Sequence, residues 1–176
     1  MSATAIQQIP AGAYTGDPVH STFGFAIKHN GISTFRGHFE QVDAKLQDGV
    51  LEGTAQVESV KTAIPDLKAH LLSPDFFNAP ETPTIRFRSS DIRIADSGEA
   101  EVDGELSIRG VTRSVTATGT FGSGQNINGA DVVGFDLEAR IDRRDYGLNW
   151  QAPLPNGDDV LAWDVTMEVH LELVKE

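Results

Sequence analysis

Apolar and polar residues alternate along most of this chain with a period of two, not 3.6. The clearest run is "VLAWDVTMEVHLELV" near the C-terminus. Leu161, Trp163, Val165, Met167, Val169, Leu171 and Leu173 fall on one face, and Ala162, Asp164, Thr166, Glu168, His170 and Glu172 on the other. Such a run predicts a long, half-buried strand of an antiparallel sheet. The same alternation groups Phe23, Phe25, Ile27 and His29, then Phe35, Gly37 and Phe39, then Leu51, Gly53, Ala55 and Val57. Further on it groups Ile85 with Phe87, Val102 with Gly104, Leu106 and Ile108, Val115 with Ala117, Gly119 and Phe121, and Val133 with Phe135, Leu137, Ala139 and Ile141. With the C-terminal run these predict eight strands.

Turn signals separate the strands: Asn30-Gly31, Asp48-Gly49, Asp96-Ser97-Gly98, Arg109-Gly110 and the stretch Asn126 to Gly129. One segment, "IPDLKAHLLSPDFFNAPETP", has another character. Pro65 and Asp66 can open a helix whose one face carries Leu67, His70 and Leu71, and Pro74, Pro80 and Pro83 end it. The expectation is therefore an all-β chain with a short helical insertion between the third and fourth strands. An open eight-stranded sheet has two edges to protect, and closure into a barrel removes both. A barrel of about eight strands can hold one small ligand. The inward faces repeatedly carry Gly or Ala, which either leave room for a ligand or mark bends where the barrel curves.

At 176 residues the chain is expected to be a single domain spanning 13–176, preceded by an N-terminal tail, 1–12. It contains no Cys, so no disulfide contributes to its stability. The first residues show neither a basic cluster nor an apolar run, and the expected location is cytoplasmic. No stretch is apolar enough for stable membrane insertion. A net charge of −12 argues against nucleic acid and against anionic membrane surfaces as partners.

Candidate chemistry is sparse. By strand parity His20, His38 and His170 point away from the apolar face. With no Cys and no H-E-x-x-H run, neither a metal nor any other cofactor is expected. The chain lacks a G-x-S-x-G elbow, and adjacent strand residues such as His20 and Ser21 cannot pair as base and nucleophile. "RRDYG", from Arg143 to Gly147, reads as a solvated turn with an internal Arg–Asp pair. His29 shares parity with Phe23, Phe25 and Ile27. It is either a core-edge histidine bonded to a carbonyl or a polar group that fixes a ligand's head at a cavity mouth. His70, on the inner face of the helix, is a second candidate.

The segments "DPVHSTFGFAIKHNGISTFRGHF", "AHLLSPDFFNAPETPTIRFRS", "GELSIRGVTRSVT" and "IDRRDYGL" occur in the order found in the YceI-like family of polyisoprenoid-binding, lipocalin-like proteins, and the chain resembles that family from about Tyr14 to Leu173. The resemblance implies an extended eight-stranded antiparallel barrel, a long apolar channel for an isoprenoid tail or another long-chain amphiphile, a homodimer, and no catalysis. The family reads Arg-Asp, one variable residue, then His-Leu-Arg-Ser before Asp-Phe-Phe. Here Lys68 stands at the Asp and Leu72 at the Arg after His-Leu, which points to a different head group.

Together the two readings lead to a soluble carrier or sequestering protein. Phe23, Phe25, Phe35, Phe39, Phe87 and Trp163 would line its channel. Ile27, Leu106, Ile108, Val165 and Met167 share that inward face. His29 would stand at the mouth, and His70, Leu71, Phe76 and Phe77 would belong to the cap. Two alternatives are an enzyme on a prenyl or lipidic substrate with His29 as acid–base, and a stress-protective protein with a filled core. The first would need a second inward titratable group, and parity supplies no inward carboxylate.

Overall fold

The computed structural model describes residues 6–7 and 9–176. It is a closed antiparallel barrel of eight strands with one α-helix. Three of the strands are each built from two consecutive segments. Strand β1 comprises Ala13–Gly16 and Thr22–His29, and β2 comprises Ser33–Phe39 and Val42–Gln47. Strand β3 comprises Val50–Gln56 and Val60–Lys61, joined by a single 3-10 turn, Val57–Ser59. The others are continuous: β4 (Thr84–Ala95), β5 (Glu99–Ile108), β6 (Val111–Gln125), β7 (Asp131–Asp142) and β8 (Leu161–Lys175). Helix α1 (Pro65–Leu72) lies between β3 and β4, with Pro in its first turn.

Each strand pairs with the next in sequence, and β8 pairs back with β1 to close the ring. Strand β8 runs against β7 from Asp142↔Asp164 to Val132↔Val174. Its other edge takes both segments of β1, through Met167↔Phe25 and Leu173↔Gly16. The segments Ala13–Gly16 and Val42–Gln47 lengthen β1 and β2 beyond what alternation marks in the sequence. They pair with each other through Tyr14↔Leu46. Of the expected tail, residues 1–5 and 8 lie outside the described residues; Ile6 and Gln7 pair with Ala95 and Ile94 on β4. Among the described residues no helix is long and apolar enough to cross a membrane.

The hairpins follow the turn signals. Asp48-Gly49 and Arg109-Gly110 both adopt positive φ (53° and 75°, 54° and 76°), which gives the two-residue turns that match strand twist. Asn and Asp accept this conformation readily, whereas Arg109 does so at a cost.

Inside the barrel two apolar clusters stack end to end. One end is filled by Tyr14, Leu46, Ile94, Val102, Val133, Phe135 and Leu173, with Phe121 and Phe135 in edge contact at 5.1 Å. The other end holds Phe25, Ile27, Phe39, Leu71, Ile108, Val165 and Met167 and is roofed by the segment that contains α1. The inward glycines serve two different purposes. A Cβ on Gly37 would lie 2.5 Å from the Phe25 ring, so this glycine is a seat for an aromatic ring, and one on Gly104 would meet both the Arg88 carbonyl and the Phe87 ring. Gly53 has nothing nearer than 3.8 Å, and with Ala55, Ala117 and Ala139 it borders empty space.

This difference predicts opposite outcomes for one chemical change. Gly37→Ala forces the Phe25 ring off its seat and should destabilise the barrel by about 1–3 kcal/mol. Gly53→Ala adds a methyl to open space and should change stability by less than about 0.5 kcal/mol, in either direction. Urea unfolding of both variants checks the pair. Equal destabilisation would show that the glycines serve strand curvature alone.

Candidate binding cavity

Beneath the roofing segment, inside that end of the barrel, lies a cavity of about 410 Å³. That is within the range typical of small-molecule sites, roughly 300–1,000 Å³. Strand β1 contributes Phe25, Ile27 and His29, β2 contributes Ser33, Thr34 and Phe35, and β8 contributes Leu161, Val165 and Met167. The roof adds Leu67, His70, Leu71, Phe76 and Phe77, and the far wall Ile108, Ile141, Arg143, Leu148 and Trp150. Further towards the filled end is a second, narrower cavity of about 80 Å³, bordered by Phe23, Phe87, Leu106 and the small residues Ala44, Gly53, Ala55, Ala117 and Ala139. Met167 borders both cavities. Its flexible thioether side chain suits a position that separates two spaces.

The site residues expected from the sequence divide into three groups. Phe25, Ile27, His29, Phe35, His70, Leu71, Phe76, Phe77, Ile108, Val165 and Met167 border the larger cavity. Phe23, Phe87 and Leu106 border the smaller one. Phe39 and Trp163 border neither. Phe39 is only 2% exposed and packs in the wall, with Phe23 stacked on it at 5.4 Å and Phe77 edge-on at 5.7 Å. Trp163 was expected inward because it shares parity with Val165. The register between β8 and β1 shifts by two residues between Leu161↔His29 and Val165↔Ile27, so Leu161 and Val165 both still border the cavity and only the residues between them depart from it. Trp163 instead lies under the guanidinium groups of Arg143 and Arg144, at 4.3 and 4.7 Å from its ring centroid.

The roof is held by directed hydrogen bonds as well as by its apolar face. The amide of Phe77 donates to the carbonyl of Leu71, and that of Ala79 to the carbonyl of Leu72 (both 2.9 Å). The Thr82 hydroxyl donates to the carbonyl of Phe77 at 2.7 Å. Arg109 ties the roof to the opposite wall, for its Nη1 donates to the carbonyls of Phe76 (3.1 Å) and Gly147 (3.0 Å). This bridge accounts for an arginine at a turn position that glycine or asparagine would occupy with less strain. At the mouth, His70 makes edge contacts with Phe76 (4.9 Å) and Trp150 (5.1 Å), and its Nε2 lies 3.1 Å from Asp75 Oδ2. His29 is exposed at the rim, paired with Leu161 and Ser33.

The "RRDYG" turn holds what the reading of the sequence missed. The Arg–Asp pair expected inside this turn, with Asp145, is not among the ion pairs of the described residues; Arg144 instead meets Asp142, just before the turn, at 2.6 Å on the surface. Arg143 and Tyr146, however, are buried at 2% and 1% exposure. Arg143 Nε donates to the carbonyl of Ala162 (2.9 Å), and its Nη1 to those of Leu148 (2.6 Å) and Trp150 (2.8 Å). Burial pushes its pKa below the ordinary arginine value. The buried Tyr146 hydroxyl is pushed up to about 12, chiefly by desolvation. One signal in the sequence pointed to this: Arg143 has the same parity as the inward Ile141.

The other histidines lie outside. His170 pairs with Asp136 at 2.8 Å, and His20 with Asp17 at 2.7 Å. The donor atoms of Asp17, His20 and Glu172 lie within 4.8 Å of one another, and none of the three borders either cavity. The short Asp17–His20 contact holds the Asp17 carboxyl below its ordinary value and raises that of His20.

The YceI-like domain family matches residues 14–173 of the chain. A UPF0312 protein of Staphylococcus epidermidis is 33% identical over 166 residues, covering 89% of this chain and 94% of that protein. One from Staphylococcus aureus is 32% identical over 168 residues, covering 90% and 95%. Among solved structures, BcnA of Burkholderia cenocepacia superposes with a TM-score of 0.71 at 22% identity, over 89% of this chain and 98% of that one. A polyisoprenoid binding domain from Saccharophagus degradans gives a TM-score of 0.71 at 14% identity, over 93% and 98%. These two structures share the fold.

The Arg109 bridge predicts how the roof responds to its loss. Arg109→Asn keeps a residue suited to positive φ but removes both carbonyl bonds. Bonds to charged donors are worth roughly 1.5–3 kcal/mol each. Amide exchange of residues 73–79 should therefore accelerate by at least about tenfold, while β8 exchanges as before. Unchanged exchange in the roof would mean that its apolar contacts hold it without the bridge.

Proposed function

The chain belongs to the YceI-like domain family, and on that premise we propose that its barrel binds the tail of a polyisoprenoid or a similar long-chain amphiphile and carries or sequesters it. One observation carries the reading: an apolar cavity of about 410 Å³ under a hydrogen-bonded roof, sharing Met167 with a second cavity towards the barrel's middle. A space bordered by aromatic and aliphatic side chains suits a hydrocarbon tail, whose burial supplies about 25 cal/mol per Å² before the costs of association. The like-folded Saccharophagus degradans domain is described as polyisoprenoid binding, which supports the choice of tail. A cavity of this size argues against the filled-core alternative. A homodimer belongs to the same proposal and rests on the family resemblance.

Mass spectrometry of organic extracts from the purified protein tests the reading directly, and a long-chain amphiphile at near-stoichiometric yield is the expected result. Only short polar metabolites, or none, would count against it. The Met167 position makes a second prediction. Met167→Ala should join the two cavities and shift the preferred ligand towards longer chains. Each methylene that newly fits adds about 0.8 kcal/mol, roughly a fourfold gain in affinity. The variant should lose about 2–5 kcal/mol of stability. Displacement of a fluorescent probe by a homologous alkyl series with one common head measures the shift. An unchanged optimum would place the tail elsewhere.

A further inference from the structure

The charges around the larger cavity are unlike those of the rest of the molecule. The protein carries a net charge of −12, yet the titratable residues that border this cavity are His29, His70 and Arg143, with no Asp or Glu among them. Arg143 is the only one of the three that is buried and permanently charged. Its Nε and Nη1 are satisfied by the carbonyls of Ala162, Leu148 and Trp150. Those bonds give it a structural role, holding the 148–150 segment against β8. They do not account for the rest of the guanidinium. Nη2 is closed to solvent and has no hydrogen-bond partner. Among the described residues Arg143 forms no ion pair; the nearby Asp142 is taken by Arg144, and Asp142 and Asp159 act on Arg143 only through space.

A buried cation without a counter-ion is costly, and its field reaches far in a dry apolar space. An anion entering this cavity would meet attraction from Arg143 with no carboxylate on the lining to oppose it. Stacking over Trp163 at 4.3 Å and three carbonyl bonds hold the guanidinium in place, so little ordering would remain to be done on binding. We propose that the ligand's head is an oxyanion, a carboxylate or a phosphate, selected by the charge of Arg143 in the cavity wall, which no ion pair neutralises. This rests on the tail-binding reading above and adds to it the chemistry of the other end of the ligand.

The test compares heads on one tail with the unmodified protein. Dodecanoate, methyl dodecanoate, dodecanol and dodecyl phosphate, each below its micellar concentration, displace a fluorescent probe at about pH 8, where the carboxylate is ionised. The two anions should bind about tenfold or more tighter than the ester and the alcohol, the effect expected of a charge-assisted partner. Their ratio to each other tells a fatty-acid-like head from a phosphate. Because the charge is buried, the preference should survive about 0.5 M salt, whereas capture by surface lysines would not. Arg143→Gln, if far-ultraviolet circular dichroism shows it folded, should bring anion and ester to within about twofold of each other. Equal affinity for all four heads, or a preference abolished by salt, overturns the proposal and leaves tail binding standing. Failure of all four to bind overturns both.

Discussion

Backbone hydrogen bonding along β8 is the constraint from which the rest of the structure follows. Every strand of a sheet has two edges, and an unpaired edge leaves a row of donors and acceptors open. Strand β8 closes the ring by pairing with β7 along almost its whole length and with both segments of β1 on its other side. At about 3.3 Å per residue its 15 residues span roughly 50 Å, so one strand runs along both halves of the interior. Closure with eight strands leaves a bore that side chains can just fill. Whether it is filled then depends on residue size at each level.

The two halves of the bore differ in that respect. At one end Tyr14, Phe121 and Phe135 pack with aliphatic side chains. In the middle Gly53, Ala55, Ala117 and Ala139 withdraw from the axis and a small cavity remains. At the other end Phe25 lies across Gly37 and Phe77 descends from the roof, so the aromatic rings form walls around a larger space. The roof itself lies outside the strand ladders. It is secured by Arg109, which occupies a strained turn position and reaches both the roof and the loop after β7.

Electrostatics set a second gradient along the same axis. The outer wall carries exposed ion pairs such as Arg36–Glu168 at 2.6 Å and the Arg93 cluster with Glu101 and Asp103, which water screens and which contribute little to stability. Arg143 is held away from water, and the interactions it makes are with carbonyls and the Trp163 ring. The same charge therefore matters far more inside the barrel than on its surface.

The period-two pattern by itself determined the all-β class and the eight strands, because burial of one sheet face imposes alternation that needs no partner to be seen, while Gly, Asn and Asp marked the hairpins and prolines bounded the helical segment. It also placed Phe25, Ile27, Phe35 and Met167 towards the interior, and those residues border the larger cavity. Three things were decided only by the tertiary structure. Trp163 is absent from the lining and lies under Arg143 and Arg144, which the turn after β7 brings over its ring. Phe39 became wall instead of lining because Phe23 and Phe77 cover it from other segments. Arg143 read as one half of a solvated turn, and only the convergence of Ala162, Leu148 and Trp150 around it gave a buried guanidinium its partners. Alternation reports which face of a strand is covered; what covers it, and which charge is left without a counter-ion there, depends on contacts between residues that no local pattern brings together.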